Sequence, residues 1–364
     1  MFGRARIALV AGIMTATACV SSQETPSRIP PPVVLPPKPI ARPVPKPPAP
    51  VPQSASPVAL NRAIHALWAG FEGRTGIAIA RADGSWIVQE RGDELMPQQS
   101  VSKLWVALAV MDAIDKGRMN LTDRVTLTRA DLTVFNQPIA AAIGDGSFTT
   151  SIADLLDRQM RRSDNTANDF LMRKLGGPQA IRAFISAKGL GAIRFGPGEK
   201  LLQAKTAGLT WRPEYIDGGT FKTARARLSG EARTAAMDTY LADPPDGAAP
   251  VAIARALLRL KRGELLSSES TRYLLRLMST STTGPQRLHG GVPAEWKFAH
   301  KTGTGQDHKG RTAGFNDVAI LTAPDGTSYA VVVMIADTRA SIPRRWELMQ
   351  GISATVAAYH EQQQ

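Results

Sequence analysis

Three short strings follow one another along the 364 residues: Ser100-Val101-Ser102-Lys103, then Ser163-Asp164-Asn165, then Lys301-Thr302-Gly303. Average residue usage leads one to expect S-x-x-K about once in a chain this long but SDN and KTG only ~0.1 times each, so the ordered set is the informative feature. A serine hydroxyl attacks well only when a base takes its proton, and a lysine among cationic or apolar groups can have its pKa lowered enough to do so. Ser100 and Lys103 are three apart and share a helix face. Ser163 adds a second hydroxyl, suited to passing a proton to a leaving nitrogen, and the Asn165 amide could hold Lys103 or a substrate carbonyl. Lys301 offers positive charge for a substrate carboxylate and Arg311 a second cation, while the glycines flanking Thr304 allow close backbone approach. Singly, Lys301 and Arg311 would be read as solvated surface charge; the other two strings favour a site. The chemistry implied is acyl transfer to Ser100.

The elements around these residues are readable too. Leu104, Ala107, Leu108 and Met111 recur at helical spacing after Pro97, which predicts a helix with Ser100 in its first turn. Free N–H groups and the positive end of the helix dipole would there face a developing oxyanion. Ser151 and Asp154 read as a capping box opening a helix over Ile152, Leu155 and Leu156. SDN should then lie in the turn before a second helix, Thr166 to Leu175, which Gly176-Gly177 ends and Pro178 follows. The apolar stretch Trp296 to Ala299 places Lys301 at the end of a strand. Asp83-Gly84 separates the strands Thr75 to Arg81 and Ser85 to Arg91, and Asp325-Gly326 separates Phe315 to Thr322 from Ser328 to Ala336. The expected architecture is α/β: a five-stranded antiparallel sheet covered by helices near Leu60 to Phe71 and Pro343 to Tyr359, plus an all-helical lobe from the middle of the chain. Ser100 should open into the cleft between sheet and lobe.

With these strings in place, residues 58–362 resemble a class A β-lactamase, within the penicillin-recognising serine hydrolases. The likeness extends to Ser163-Asp164-Asn165-Thr166-Ala167-Asn168, Leu175-Gly176-Gly177-Pro178, Gly263-Glu264-Leu265-Leu266-Ser267 and Ala313-Gly314-Phe315-Asn316-Asp317-Val318. It implies Ser100 as acylated nucleophile, Lys103 as its partner, Ser163 as proton relay and Lys301, Thr302 and Arg311 as carboxylate binders, with an oxyanion hole from the N–H groups of Ser100 and Thr304. It also implies a glutamate that activates the deacylating water, in an E-x-x-L-N string. Gly198-Glu199-Lys200-Leu201-Leu202-Gln203 stands in the matching place, which makes Glu199 the candidate base and Gln203 its neighbour. Two positions depart from the pattern. Gln203 replaces an asparagine, and Pro197 replaces an arginine that staples the loop in the family.

The chain between Ser163 and Lys301 is about thirty residues longer than the resemblance implies, with the excess at 204–247, a length that suits a lid or a peripheral helical insertion. The substrate class implied is a small β-lactam, hydrolysed through a Ser100 acyl-enzyme by a monomer. A D,D-peptidase acting on peptidoglycan peptides is the alternative that the Gln203, Pro197 and 204–247 departures favour. A tethered cell-wall-binding protein with a degenerate site is a further one.

The first residues have a different character. Arg4 and Arg6 precede an apolar run from Ile7 to Met14 and then Ala16-Thr17-Ala18-Cys19, so residues 1–18 read as a secretory signal, too short to span a membrane. Cys19 is the only cysteine. Its place resembles the lipidated cysteine of a bacterial lipoprotein, although Ala16-Thr17-Ala18 also reads as ordinary signal cleavage; a periplasmic enzyme, free or anchored, is expected. Residues 19–57 carry fourteen prolines, a composition that extends to at most ~120 Å as polyproline spacer and builds no core. The formal charge of +13 suits membrane or cell-wall surroundings. No nucleic-acid motif is present. The five histidines lack metal-ligand spacing, so neither a metal nor another cofactor is expected.

Overall fold

The structure, a computed structural model, describes residues 57–364. The expected signal, Cys19 and nearly all of the proline-rich segment 19–57 lie outside the described residues.

Five strands form the main sheet: β1 (Arg74–Arg81), β2 (Ile87–Glu90), β3 (Lys297–Thr304), β4 (Phe315–Thr322) and β5 (Ser328–Asp337). Their spatial order is β2-β1-β5-β4-β3, with every neighbouring pair antiparallel. Both expected hairpins form. In each, the turn aspartate bonds the backbone two residues on: Asp83 accepts from the Ser85 N–H, and Asp325 from the Thr327 N–H. Asp83 also takes the Ser85 hydroxyl, which keeps Ser85 in the turn, and β2 begins at Ile87 rather than at Ser85 as the spacing predicts.

Alternation along the strands sorts side chains into two cores. Ile77, Ile79, Val331, Val333 and Ile335 pack with Leu60 and Ile64 of helix α1 (Val58–Ala69). Ala78, Ala80, Val332, Met334 and Ile320 pack on the opposite face against the helical lobe. That lobe contains α2 (Lys103–Asp115), α3 (Ile152–Arg161), α4 (Asn165–Lys174), α5 (Pro178–Ala187) and α6 (Glu199–Thr206). Next come α7 (Gly219–Arg227), α8 (Gly230–Ala242), α9 (Pro250–Lys261) and α10 (Ser268–Ser279); α11 (Ile342–Glu361) returns to cover the first core beside α1.

Helix α2 differs from its sequence pattern. Leu104, Ala107, Leu108 and Met111 trace one apolar face, yet every residue from Lys103 to Ala113 is buried. A helix enclosed all round shows no polar face for periodicity to detect. Ser100 itself lies in a 3-10 turn, Gln99–Ser102, that leads into α2 rather than in the first α-turn. The Ser151 hydroxyl caps α3 by accepting from the Asp154 N–H, but the Asp154 carboxylate turns to Thr150 and Arg158, so the reciprocal half of the capping box is missing.

The segment 204–247 includes α7 and α8 and builds two small cores of its own. Tyr215 and Phe221 pack with Val134, Ala204 and Ala207. Met237, Tyr240 and Leu241 pack with Leu202 and Ala313.

Candidate active site

Ser100 is half-buried at the start of α2, in a turn tied down from several directions. The Asn316 amide donates to the carbonyls of Pro97 and Gln98. Asp246 accepts from the Gln99 N–H at 2.8 Å, where Gln99 adopts the left-handed φ of 53°. A β-carbon on Gly303 would stand 2.3 Å from the Gln98 carbonyl, so glycine is what lets β3 run alongside the Ser100 turn.

Lys103 Nζ donates to Ser100 Oγ at 2.8 Å and to the Glu199 carboxylate. Lys103 is fully buried and Glu199 nearly so. Burying a charge is tolerated only where it is paired, and the apolar enclosure of α2, at about 1.5–3 kcal/mol per buried large side chain, is what holds the lysine there. The turn between α3 and α4 presents Ser163 from the other side. Its φ of 56° is a left-handed conformation unusual for serine, held because Asp164 caps α4 through the Ala167 N–H and also accepts from the Ile139 N–H. Burial pushes the Asp164 carboxyl up. Lys301 Nζ donates to Ser163 Oγ and to the Thr302 carbonyl, each at 2.9 Å. Burial, followed by the charge of Lys103, holds the Lys301 ammonium well below the usual lysine range.

Glu199 opens α6 behind Gly198, whose φ of 97° and missing side chain leave the helix without a cap of its own. Asp169 on α4 supplies one, accepting from the N–H groups of Glu199 at 2.9 Å and Lys200 at 3.3 Å. Burial and the neighbouring Glu199 push the Asp169 carboxyl up to about 6. Gln203, one turn along α6, donates to Glu199 Oε2 at 3.2 Å.

The structure therefore brings Ser100, Lys103 and Glu199 together, and sets Ser163 on Lys301. Other candidates sit differently. The Asn165 amide nitrogen donates to the Val134 carbonyl and makes no bond to Lys103. Thr302 Oγ1 pairs with the Thr283 hydroxyl at 2.7 Å. The Arg311 guanidinium bonds none of these groups: it forms a bidentate pair with Asp337 at 2.7 Å and a single bond from Nη1 to Asp238. Those carboxylates raise its pKa. The cation beside Thr304 is instead Arg287, which donates to Thr304 Oγ1 at 2.6 Å and to the carbonyls of Gly303 and Asn316. It stacks 3.8 Å over the Phe315 ring, and burial lowers its pKa to about 10. Sequence reasoning missed Arg287, because it stands in a loop with no periodic or motif context. It also missed Asp169, which directly follows the matched string ending at Asn168.

A second polar cluster lies behind the first. Tyr240 Oη donates to Asp246 at 3.2 Å and accepts from Gln99 Nε2 at 2.6 Å. Burial pushes the Asp246 carboxyl up to about 6 and the Tyr240 phenol well above its usual value.

Comparison with known proteins matches residues 59–360 to the model of a beta-lactamase enzyme family. The chain is 27% identical to beta-lactamase VEB-1 of Pseudomonas aeruginosa over 79% of its own length and 85% of that protein's. It is 28% identical to the extended-spectrum beta-lactamase PER-1 of the same organism, over 79% and 83%. Among solved structures, a beta-lactamase from Chitinophaga pinensis superposes with a TM-score of 0.68 at 25% identity, covering 83% of this chain and 99% of that one. An ancestral class A beta-lactamase superposes with a TM-score of 0.64 at 27% identity, covering 82% and 99%.

Proposed function

The chain belongs to the β-lactamase enzyme family, and from that premise we propose that it hydrolyses β-lactams through an acyl-enzyme on Ser100, discharged by water that Glu199 activates. The observation that carries this reading is the position of Lys103, whose Nζ bonds Ser100 Oγ and Glu199 at once. As Ser100 Oγ attacks the lactam carbonyl, Lys103 takes its proton while passing one to the Glu199 carboxylate. The oxyanion that forms is stabilised by the N–H groups of Ser100 and Thr304. Ser163 protonates the leaving lactam nitrogen and is resupplied by Lys301, whose Nζ donates to its Oγ at 2.9 Å. Once Glu199 has shed its proton to solvent, it takes one from the water that attacks the ester. The substrate carboxylate falls to Arg287, Thr302 and Thr304, with Arg311 serving instead to tie α8 to β5.

We assign the catalytic unit to residues 58–362 and export to the N-terminal signal. Lipidation at Cys19 predicts that Cys19→Ala releases the enzyme from the membrane fraction; a variant that stays there contradicts it. The function is tested by mixing the purified chain with a chromogenic cephalosporin while following intact mass. Repeated turnover by wild type, with Glu199→Ala trapped as the acyl-enzyme, is expected. A stable adduct on wild type would replace this reading with a penicillin-inhibited peptidase, and no adduct would leave only binding.

A further inference from the structure

A glutamine amide has two ends of opposite character, and only its N–H end attracts a carboxylate. Gln203 presents that end to Glu199 Oε2 and, at 3.2 Å, to Gln99 Oε1. Its own Oε1 accepts from Gln306 Nε2 at 3.1 Å. Both neighbours are amides too, so their orientation has to come from groups that lack this ambiguity.

Such groups stand at the two ends of the chain of bonds. On one side Arg225, which can only donate, gives a hydrogen bond to Gln306 Oε1 at 3.0 Å, and together with the Gln203 backbone carbonyl, which accepts from Gln306 Nε2 at 2.9 Å, it turns the Gln306 amino group toward Gln203. On the other side the Asp246 carboxylate, which can only accept, takes the Tyr240 proton. The phenol lone pair is thereby left for Gln99 Nε2 at 2.6 Å, with a longer bond from the same nitrogen to the Ala313 carbonyl at 3.4 Å, and Gln99 Oε1 faces Gln203. Gln99, Gln203, Tyr240, Asp246 and Gln306 are all buried, so water does not offer substitute partners. Arg225 belongs to α7 and Tyr240 to α8, within the segment 204–247.

We propose that Tyr240 and Arg225 are positioning residues that lock the Gln203 amide with its N–H toward Glu199, which makes 204–247 an orienting frame for deacylation rather than a lid. Without the two anchors Gln99 and Gln306 keep only their backbone acceptors, the carbonyls of Ala313 and Gln203, and hold the Gln203 amide less firmly against Glu199. This inference rests on the reading of Glu199 as the deacylating base.

The test measures acylation and deacylation separately, by rapid mixing of the full chain with a chromogenic cephalosporin. Tyr240→Phe removes one hydroxyl and Arg225→Met keeps the packing on the Phe135 ring. Each is expected to slow deacylation about fivefold to tenfold, the effect of one buried hydrogen bond, and to change acylation less than about twofold. In a Gln203→Ala background, Tyr240→Phe should add nothing, because its path to Glu199 is already cut. Additive effects in the double variant, or equal slowing of both steps, would overturn the proposal. Should Tyr240→Phe fail to fold, Arg225→Met and its pairing with Gln203→Ala decide the matter alone. A wild-type chain that never forms or never discharges an acyl-enzyme defeats the proposed function instead, so the two failures are distinguishable.

Discussion

Ser100 and Glu199 meet at Lys103, but they arrive on supports of different kinds. The helix behind Ser100 is enclosed by apolar side chains from Leu104 to Ala113. Its place is set by shape, since close-packed interiors leave few alternative positions. Glu199 arrives on an eight-residue helix capped by a carboxylate from α4 and braced by Gln203, with the small cores of 204–247 alongside. There, position depends on which atoms donate and which accept. The shape-held helix α2 tolerates changes of pH and of single polar atoms, whereas the end of α6, held by donor and acceptor pairing, responds to both; the Ser100 turn between them adds polar ties to Asn316 and Asp246.

The largest expected effect tests the shape-held side. Lys103→Ala should reduce the acylation rate by on the order of 10²–10⁴, the usual contribution of a positioned base, while leaving α2 in place. If single-turnover acylation persists near the wild-type rate, Lys103 is a structural cation and the contrast between the two supports loses its meeting point. Next comes Phe221→Ala, which empties the core of the 204–247 segment and should lower stability by about 3–5 kcal/mol. Urea titration monitored by circular dichroism and by deacylation rate should show activity declining at lower urea than the bulk unfolding of the sheet. A single coincident transition would mean that the two regions are one cooperative unit.

The smallest effect is electrostatic. Asp169 and Asp246 have carboxyls pushed up to about 6, chiefly by burial, whereas an unfolded chain titrates them near 4. Between those values the folded protein holds protons that the unfolded chain has released, so their contribution to stability increases as pH falls through this window and is lost as pH rises through about 6. Asp246→Asn removes one of the two groups. Relative to wild type the variant should therefore be more favoured at pH 7 than at pH 4.5, by on the order of 1–3 kcal/mol in paired denaturant titrations. A difference that does not vary with pH would show that Asp246 titrates normally.

Much of the scaffold was legible because its signals are local. The Asp-Gly turns, the apolar alternation of β4 and β5 and the rare SDN and KTG strings each span a few residues, and periodicity over such windows maps directly onto one face of an element. The SDN turn and the strand ending in KTG lie where the sequence places them. The small misjudgements are local competitions: the Asp83 carboxylate holds Ser85 out of β2, and the 3-10 turn takes Ser100 ahead of α2. The choice between a lid and a peripheral insertion for 204–247 could not be made from aromatic spacing, since the segment both builds its own core and reaches Gln99 through Tyr240.

By itself, the sequence determined that Ser100 and Lys103 stand together on one turn, that the SDN string lies at a helix start and that the KTG string lies on a strand, because those features reside in strings and periods that fit within one element. Only the tertiary structure decided that Arg287 rather than Arg311 stands beside Thr304, that Asp169 caps the helix of Glu199, and which way the Gln203 amide points. Each of those depends on partners far apart in the chain: Gln203 and Gln99 are separated by 104 positions, Tyr240 and Gln99 by 141. The physical reason is that a hydrogen bond is a property of two groups and their geometry, and a sequence names the groups long before packing determines which of them meet.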